Sequence, residues 1–241
     1  MLHSRSKDIG FAHYPKTAGH SLGEWFRSVF PDATFADPPE HYNVSHLPVR
    51  ASLERLGIVP PPSPRWPARA GRLLGRVARR AGIAWPVSHC KTRVIGVVRE
   101  PFQMMVSLFE YWRHYPFKSE PGQPLIVTAR VGTFHDFVHA AVVDRMLLNY
   151  ETFFDVGGPA WPSTRLIDFD HLEDGLAAIC REFDIPAPGP LPRRNPGPTT
   201  DRDLAGYEAA AGPLMADVRR HFRWYYTTGR HIMIGGDGPA R

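Results

Sequence analysis

Three times along the chain a short apolar run gives way, within a few residues, to a stretch whose apolar positions recur at helical spacing. "DIGFAHY" at 8–14 leads into "SLGEWFRSV", "TRVIGVV" at 92–98 into "REPFQMMVSLFEYWRHY", and "TRLIDFD" at 164–170 into "HLEDGLAAICREFDIP". Short apolar runs bounded by charge are buried strands, and the spacing of Leu22, Trp25, Phe26 and Val29 is that of an amphipathic helix. The alternation predicts an α/β fold: a single domain with a mainly parallel central sheet flanked by helices on both faces. Anions bind such sheets where strands end and helices begin.

Between these units the sequence is less regular. A short helix is expected from Pro48 through "VRASLERLG", with proline at its favoured first position. "VPPPSPRWP" at 59–67 is a stiff spacer, since proline fixes its own dihedral and supplies no amide donor. Beyond it "ARAGRLLGRVARRAG" sets Arg69, Arg72, Arg76, Arg79 and Arg80 along one side of a basic amphipathic helix and Leu73, Leu74 and Val77 along another. Residues 116–132 read as a loop, and "TFHDFVHAAVVDRMLLNY" as a helix capped by Thr133. "APGPLPRRNPGPTT" is a loop, and Asp203–Tyr226 is helical with a break at Gly212-Pro213. The expected organisation is one domain over 1–230, with an insertion at about 32–90 that contains the basic helix, and a disordered tail at 231–241.

Composition narrows the function classes. With 43% hydrophobic residues in 241, the chain buries one substantial core. Its two cysteines, Cys90 and Cys180, match no metal-ligand spacing, which argues against a disulfide framework and a metal site. "MLHSRSKD" has no signal-peptide core, and no segment approaches the roughly 18 apolar residues of a membrane span, so a cytoplasmic protein is expected. A net charge of +5 favours anionic partners without choosing among them.

The choice comes from two short blocks. In "PKTAGHSL", at 15–22, the amides of the loop and of the following helix start stand beside the long cation Lys16. Charge-assisted bonds of about 1.5–3 kcal/mol each let such a loop hold a phosphate or sulfate against water. It is not a Walker loop, which has its glycines before the lysine and Ser or Thr after a Gly-Lys pair. In "VVREPFQMMVS" a strand delivers Arg99 to a helix start and Ser107 follows two turns later; arginine suits bidentate grip on a phosphate.

Together, and in this order, the blocks resemble the sulfotransferases. "PKTAGHSL" is similar to their 5′-phosphosulfate loop, Pro-Lys-Thr-Gly/Ala-Gly-Thr-Ser in glycan-modifying and bacterial members. "RVIGVVREPFQMMVS" is similar to their 3′-phosphate segment, and "TRLIDFDHLEDGLAAICREFDIP", more weakly, to their late strand and helix; the likeness spans about residues 8–226. The resemblance implies a P-loop-kinase-like sulfotransferase fold. It implies 3′-phosphoadenosine 5′-phosphosulfate (PAPS) as donor and 3′-phosphoadenosine 5′-phosphate (PAP) as product, with a small-molecule or glycan acceptor and no nucleic acid. Pro15, Lys16, Thr17, Ala18, Gly19, His20, Ser21 and Leu22 would hold the phosphosulfate, and Arg99 and Ser107 the 3′-phosphate. Arg193 and Arg194, in a basic late loop, would close over it. Lys16 would stabilise the leaving group. His20 departs from the pattern, standing where most relatives have threonine.

The acceptor needs a base. His46, His41, His13 and His89 are the candidates, with His46 favoured because it lies in a polar loop after the first helix and an ordinary pKa near 6.5 suits the task. Trp112, Tyr115 and Phe117 are candidates to stack on a sugar or on adenine, and the arginine helix to line the acceptor cleft. Two other readings address the same residues: a nucleotide-dependent phosphoryl transferase, against which the missing Walker pattern and acidic magnesium site argue, and a non-catalytic polyanion-binding module built on the basic helix.

Overall fold

The computed structural model describes residues 1–36, 46–60, 90–114, 124–186, 189–191 and 203–234. Its sheet has five strands, β1 (Leu2–Ser4), β2 (Ile9–Ala12), β3 (Thr34–Phe35), β4 (Arg93–Val98) and β5 (Thr164–Asp168), in the order β3-β1-β2-β4-β5. The three expected strand-to-helix units are present: β2 leads to α1 (Gly19–Val29), the short helix α2 (Val49–Arg55) comes before β4, and β4 leads to α3 (Pro101–His114). The third, β5, leads through a short turn to α7 (Leu172–Phe183). The fold is α/β.

The sheet is mixed rather than mainly parallel. β2–β4 and β4–β5 are parallel ladders, whereas β1 pairs antiparallel with both β2 and β3. The cause is the connection: only Arg5–Asp8 separate β1 from β2, too few for the crossover that a parallel pair needs. "MLHSRSKD" conceals β1 because two of its three strand residues are polar. Both are buried, and each finds a partner outside the strand. His3 Nε2 lies 3.4 Å from Asp8 Oδ1, and Ser4 Oγ donates to Asp32 Oδ1 at 2.8 Å.

Alternation along the strands divides the core between the two faces. Ile9, Phe11, Ile95, Val97 and Ile167 meet Leu22, Trp25 and Phe26 of α1 and Leu176, Ile179 and Phe183 of α7. Ala12, Val94, Val98 and Leu166 face the other way, toward Met104, Met105, Leu108 and Phe109 of α3. Each fully buried side chain of this size contributes about 1.5–3 kcal/mol, so removing either layer is far beyond what a domain tolerates. Within β4, Gly96 marks a close approach: a Cβ there would stand 2.4 Å from the Phe154 ring.

The second layer is more broken than the periodicity suggests. Part of the segment read as a loop is helix α4 (Pro124–Val131), which buries Leu125 and Ala129 one turn apart. The long helix expected after Thr133 is interrupted. α5 (Phe134–Val138) has the expected Thr133 cap, as a reciprocal capping box with Asp136. It continues as a π-helical turn, His139–Val143, ends, and restarts as α6 (Tyr150–Phe153). α8 (Leu204–Ala211) and α9 (Met215–His221) flank the expected Gly212-Pro213 break, and a second π-helical turn covers Tyr225–Gly229. Ile234 then bridges to Ile167 of β5. The basic helix at 69–80 and the rest of the expected tail, 235–241, lie outside the described residues. Cys90 and Cys180 are buried and unbridged. No helix among the described residues is long and apolar enough to cross a membrane.

Candidate functional site

The sheet register brings the two blocks together. Ala12 of β2 stands opposite Gly96 of β4, and Val98 opposite Asp168 of β5, with the strands parallel. The segments that follow, His13–Ala18, Arg99–Glu100 and Phe169–Asp170, therefore leave the same edge of the sheet side by side. This is the carboxyl edge, where open α/β sheets place their ligands.

The first loop is held from beneath. Tyr14, 1% exposed, packs edge-on against Tyr150 and Phe153 at centroid distances of 4.6 and 4.9 Å, and its hydroxyl donates to the Leu148 carbonyl. Thr17, also 1% exposed, donates its hydroxyl to the Tyr14 carbonyl at 2.8 Å. That hydroxyl's proton is committed to the loop, so Thr17 offers an anion its amide. Lys16 and Ala18 have φ of 61° and 59°, with Thr17 between them on the negative side. Alternation of this kind turns successive amides toward one concavity and is the backbone pattern of anion nests. α1 then starts at Gly19 with no side-chain cap from Ala18, and the first amides of a helix have no partner within it. Ser21 and Leu22 are buried.

Two cations rest on aromatic faces at this edge. Lys16 Nζ lies 4.1 Å from the centroid of Tyr111, and the Arg99 guanidinium 4.5 Å from that of Phe169. Such a contact contributes about 0.5–1 kcal/mol at an exposed site, less than one charge-assisted bond to a phosphate. The Arg99 backbone is fixed on both sides. Its carbonyl accepts from Tyr150 Oη at 2.7 Å, and Glu100 accepts from the Gln103 amide and from Tyr226 Oη, each at 2.7 Å. Glu100 thus caps α3 and holds the last turns of the chain against the Arg99 segment. Ser107 is 3% exposed on α3, and Arg99 is the better placed of the two for an anion arriving from solvent.

Three of the histidines meet over the loop. The His13 ring lies 4.6 Å from that of His46 and 6.2 Å from that of His20. His46 Nδ1 lies 3.3 Å from the His13 carbonyl. A carbonyl only accepts, so Nδ1 carries the proton and Nε2 is left with its lone pair, the tautomer a general base requires. Loss of hydration beneath the neighbouring rings lowers the His46 pKa from the ordinary 6.5 to about 4, partly opposed by the His13 carbonyl. Water reaches this exposed residue and restrains the shift, so His13, 6% exposed, is the more firmly neutral of the two. Burial, then His46 and His20, hold His13 well below its usual value. Burial and then Lys16 lower His20.

A pH dependence of stability follows, and its sign is set by the direction of these shifts. As pH falls below 6.5 the unfolded chain takes up protons that His13, His20 and His46 refuse in the fold, so stability declines from about pH 6.5 downward. The melting temperature is expected to fall between pH 7.5 and 5.5, and to fall less in His13→Gln. Equal slopes for the two proteins would remove His13 from this balance.

Of the residues expected from sequence, the fold thus groups 13–22, His46 and Arg99 at one edge, with Ser107 further along α3. Arg193, Arg194, His41, His89, Tyr115 and Phe117 lie outside the described residues. Trp112 is half-buried against the α3-side core. Tyr14, Tyr111, Tyr150, Phe169 and Tyr226 were not legible as site residues, because each acts through a partner distant in sequence. Among the described residues no group of three or more His, Cys, Asp or Glu side chains is placed to hold a metal ion. In comparisons with known proteins the chain matches no family model, no curated protein and no solved structure.

Proposed function

We propose that this protein is a PAPS-dependent sulfotransferase of P-loop-kinase-like fold, acting on a hydroxyl of a small molecule or glycan. The observation that carries the reading is the register of β2 against β4, which sets the "PKTAGHSL" loop and Arg99 side by side at the carboxyl edge of one sheet. The donor carries anionic groups at both ends of an adenosine. The loop amides and Lys16 suit the 5′-phosphosulfate, and Arg99, with Ser107, the 3′-phosphate.

In this reading His46 Nε2 takes the proton from the acceptor hydroxyl as its oxygen attacks sulfur. The bond from sulfur to the 5′-phosphate oxygen breaks, with attacking and leaving oxygens roughly in line, and PAP departs with the negative charge. Lys16 leaves Tyr111 to meet that developing charge. Its attraction is stronger in the transition state than in the ground state, which is what raises the rate. His13 positions His46 through its carbonyl and by packing beneath its ring.

Calorimetry with PAP tests the donor site, and labelled PAPS with pools of sugar, phenol and lipid acceptors tests transfer. Absence of heat with PAP would overturn the reading. The Arg99 role has a separate test. Adenosine 5′-phosphosulfate, which lacks the 3′-phosphate, should bind the parent at least tenfold more weakly than PAPS, and Arg99→Ala should reduce that discrimination to within a few-fold, by loss of a bond of about 1.5–3 kcal/mol. Undiminished discrimination in the variant would assign the 3′-phosphate to other residues.

A further inference from the structure

Away from the histidine cluster, a cleft of about 420 Å³ opens between the π-helical turn with its following loop and α9. Its walls include Val143 and Leu148, which are 42% and 40% exposed, together with Arg145, Asp217, Arg220 and His221. Three of the large apolar residues that stand exposed, Val143, Met146 and Leu148, fall within six residues of chain, and the first and last line the cleft. Isolated exposed apolar residues are ordinary; a cluster around a concavity marks a binding surface.

The charges are arranged unequally. Arg220 donates to Asp217 at 2.5 Å, and Asp144 turns to His139 at 3.4 Å. Arg145 makes neither an ion pair nor a hydrogen bond among the described residues, and it is the cation of the cleft left to a ligand. It also sits at φ 57°, just past the Asp144 cap of the π-helical turn, a position that glycine or asparagine usually takes. A long cation kept in a left-handed conformation beside a π-helical turn is local strain of the kind that collects at functional sites.

The rim is built rather than loose. Two consecutive carbonyls, Leu147 and Leu148, are held from within, the first by His221 Nε2 at 2.8 Å and the second by the Tyr14 hydroxyl. Through Tyr14 the rim also touches the loop that carries Lys16. A cleft of about 420 Å³ falls within the range of small-molecule sites, and suits a body of eight to ten carbons with one anionic head.

We infer that this cleft binds a small amphipathic monoanion, its apolar body against Val143 and Leu148 and its carboxylate or equivalent head on Arg145. The assignment does not depend on sulfuryl transfer. Titration of the full chain with sodium octanoate, followed by calorimetry, tests it, with acetate and octanol as probes of head and body alone. Octanoate is expected to bind once per chain and at least tenfold more tightly than either. Arg145→Gln should weaken octanoate at least tenfold and leave octanol within twofold, whereas Arg220→Gln, whose parent side chain is already committed to Asp217, should weaken octanoate less than threefold. Arg145→Gly keeps the left-handed backbone without its strain. It should melt no lower than the parent and still lose octanoate, which separates binding from folding. Octanoate no tighter than acetate, several weak sites per chain, or affinity unchanged in both Arg145 variants would each overturn the assignment.

Discussion

Lys16→Ala is expected to lower single-turnover sulfuryl transfer by about 10²–10³-fold while changing PAP affinity only a few-fold. The magnitude is that of removing one preorganised donor from a developing oxyanion, about 2.7–4 kcal/mol. Binding survives because the loop does not depend on the lysine side chain for its shape. Tyr14 anchors it to Leu148 and Thr17 ties it to the Tyr14 carbonyl, and alanine keeps a Cβ at the same φ of 61°, adding no strain that the parent lacks. The ground-state anion therefore retains the amides of the loop and of the start of α1. Measured by transfer from labelled PAPS and by calorimetry with PAP, equal turnover in the variant would remove Lys16 from the chemistry. A loss of PAP affinity as large as the loss of turnover would make it a uniform binding residue instead.

Gly19→Ala is expected to damage both stability and donor binding. A Cβ at Gly19 would stand 1.8 Å from the His13 ring, well inside contact distance. The ring has little room to retreat, because His46 lies 4.6 Å from it and Phe11 6.3 Å. Overpacking of this kind costs about 3 kcal/mol, which for a chain of this length lowers the melting temperature by about 6 to 12 °C. Relief by displacement of α1 would tilt its first amides away from the loop, so PAP affinity should fall as well. The cause can be isolated. His13→Ala combined with Gly19→Ala should recover most of the loss beyond that of His13→Ala alone, as a coupled pair must. A melting temperature unchanged by Gly19→Ala would show that His13 moves freely, and with it the positioning of His46.

The strand-to-helix units at 8, 92 and 164 were legible because their signal is local: a few apolar residues, a charge at each end, then helical spacing. The capping box at Thr133 is local too. β1 and β3 were not legible, since Ser4 and His3 find their partners in Asp32 and Asp8, outside the strand, and a two-residue strand at Thr34–Phe35 exists only because β1 lies beside it. The break in the helix after Val143 went unread for a related reason. Val143, Met146 and Leu148 continue an apolar pattern but stand exposed, the first and last of them lining the cleft, instead of entering the core.

Residue chemistry near the loop was likewise readable in part. A lysine among free amides and an arginine at a strand end indicate anion binding wherever they occur, and the order of the two blocks suggested which anion. Their adjacency was decided by the pairing of Ala12 with Gly96, across 84 residues of chain. The contacts of His46 with His13, Tyr14 with Leu148 and Tyr226 with Glu100 span 33, 134 and 126 residues. Backbone preference and hydrophobic periodicity act over a few residues, so the chain alone determined its strand-to-helix units and its chemical inventory. Close packing and hydrogen bonding act between whatever folding brings into contact, and only the tertiary structure decided which tautomer His46 adopts, which cations rest on aromatic rings, and that Arg145 stands over a cleft.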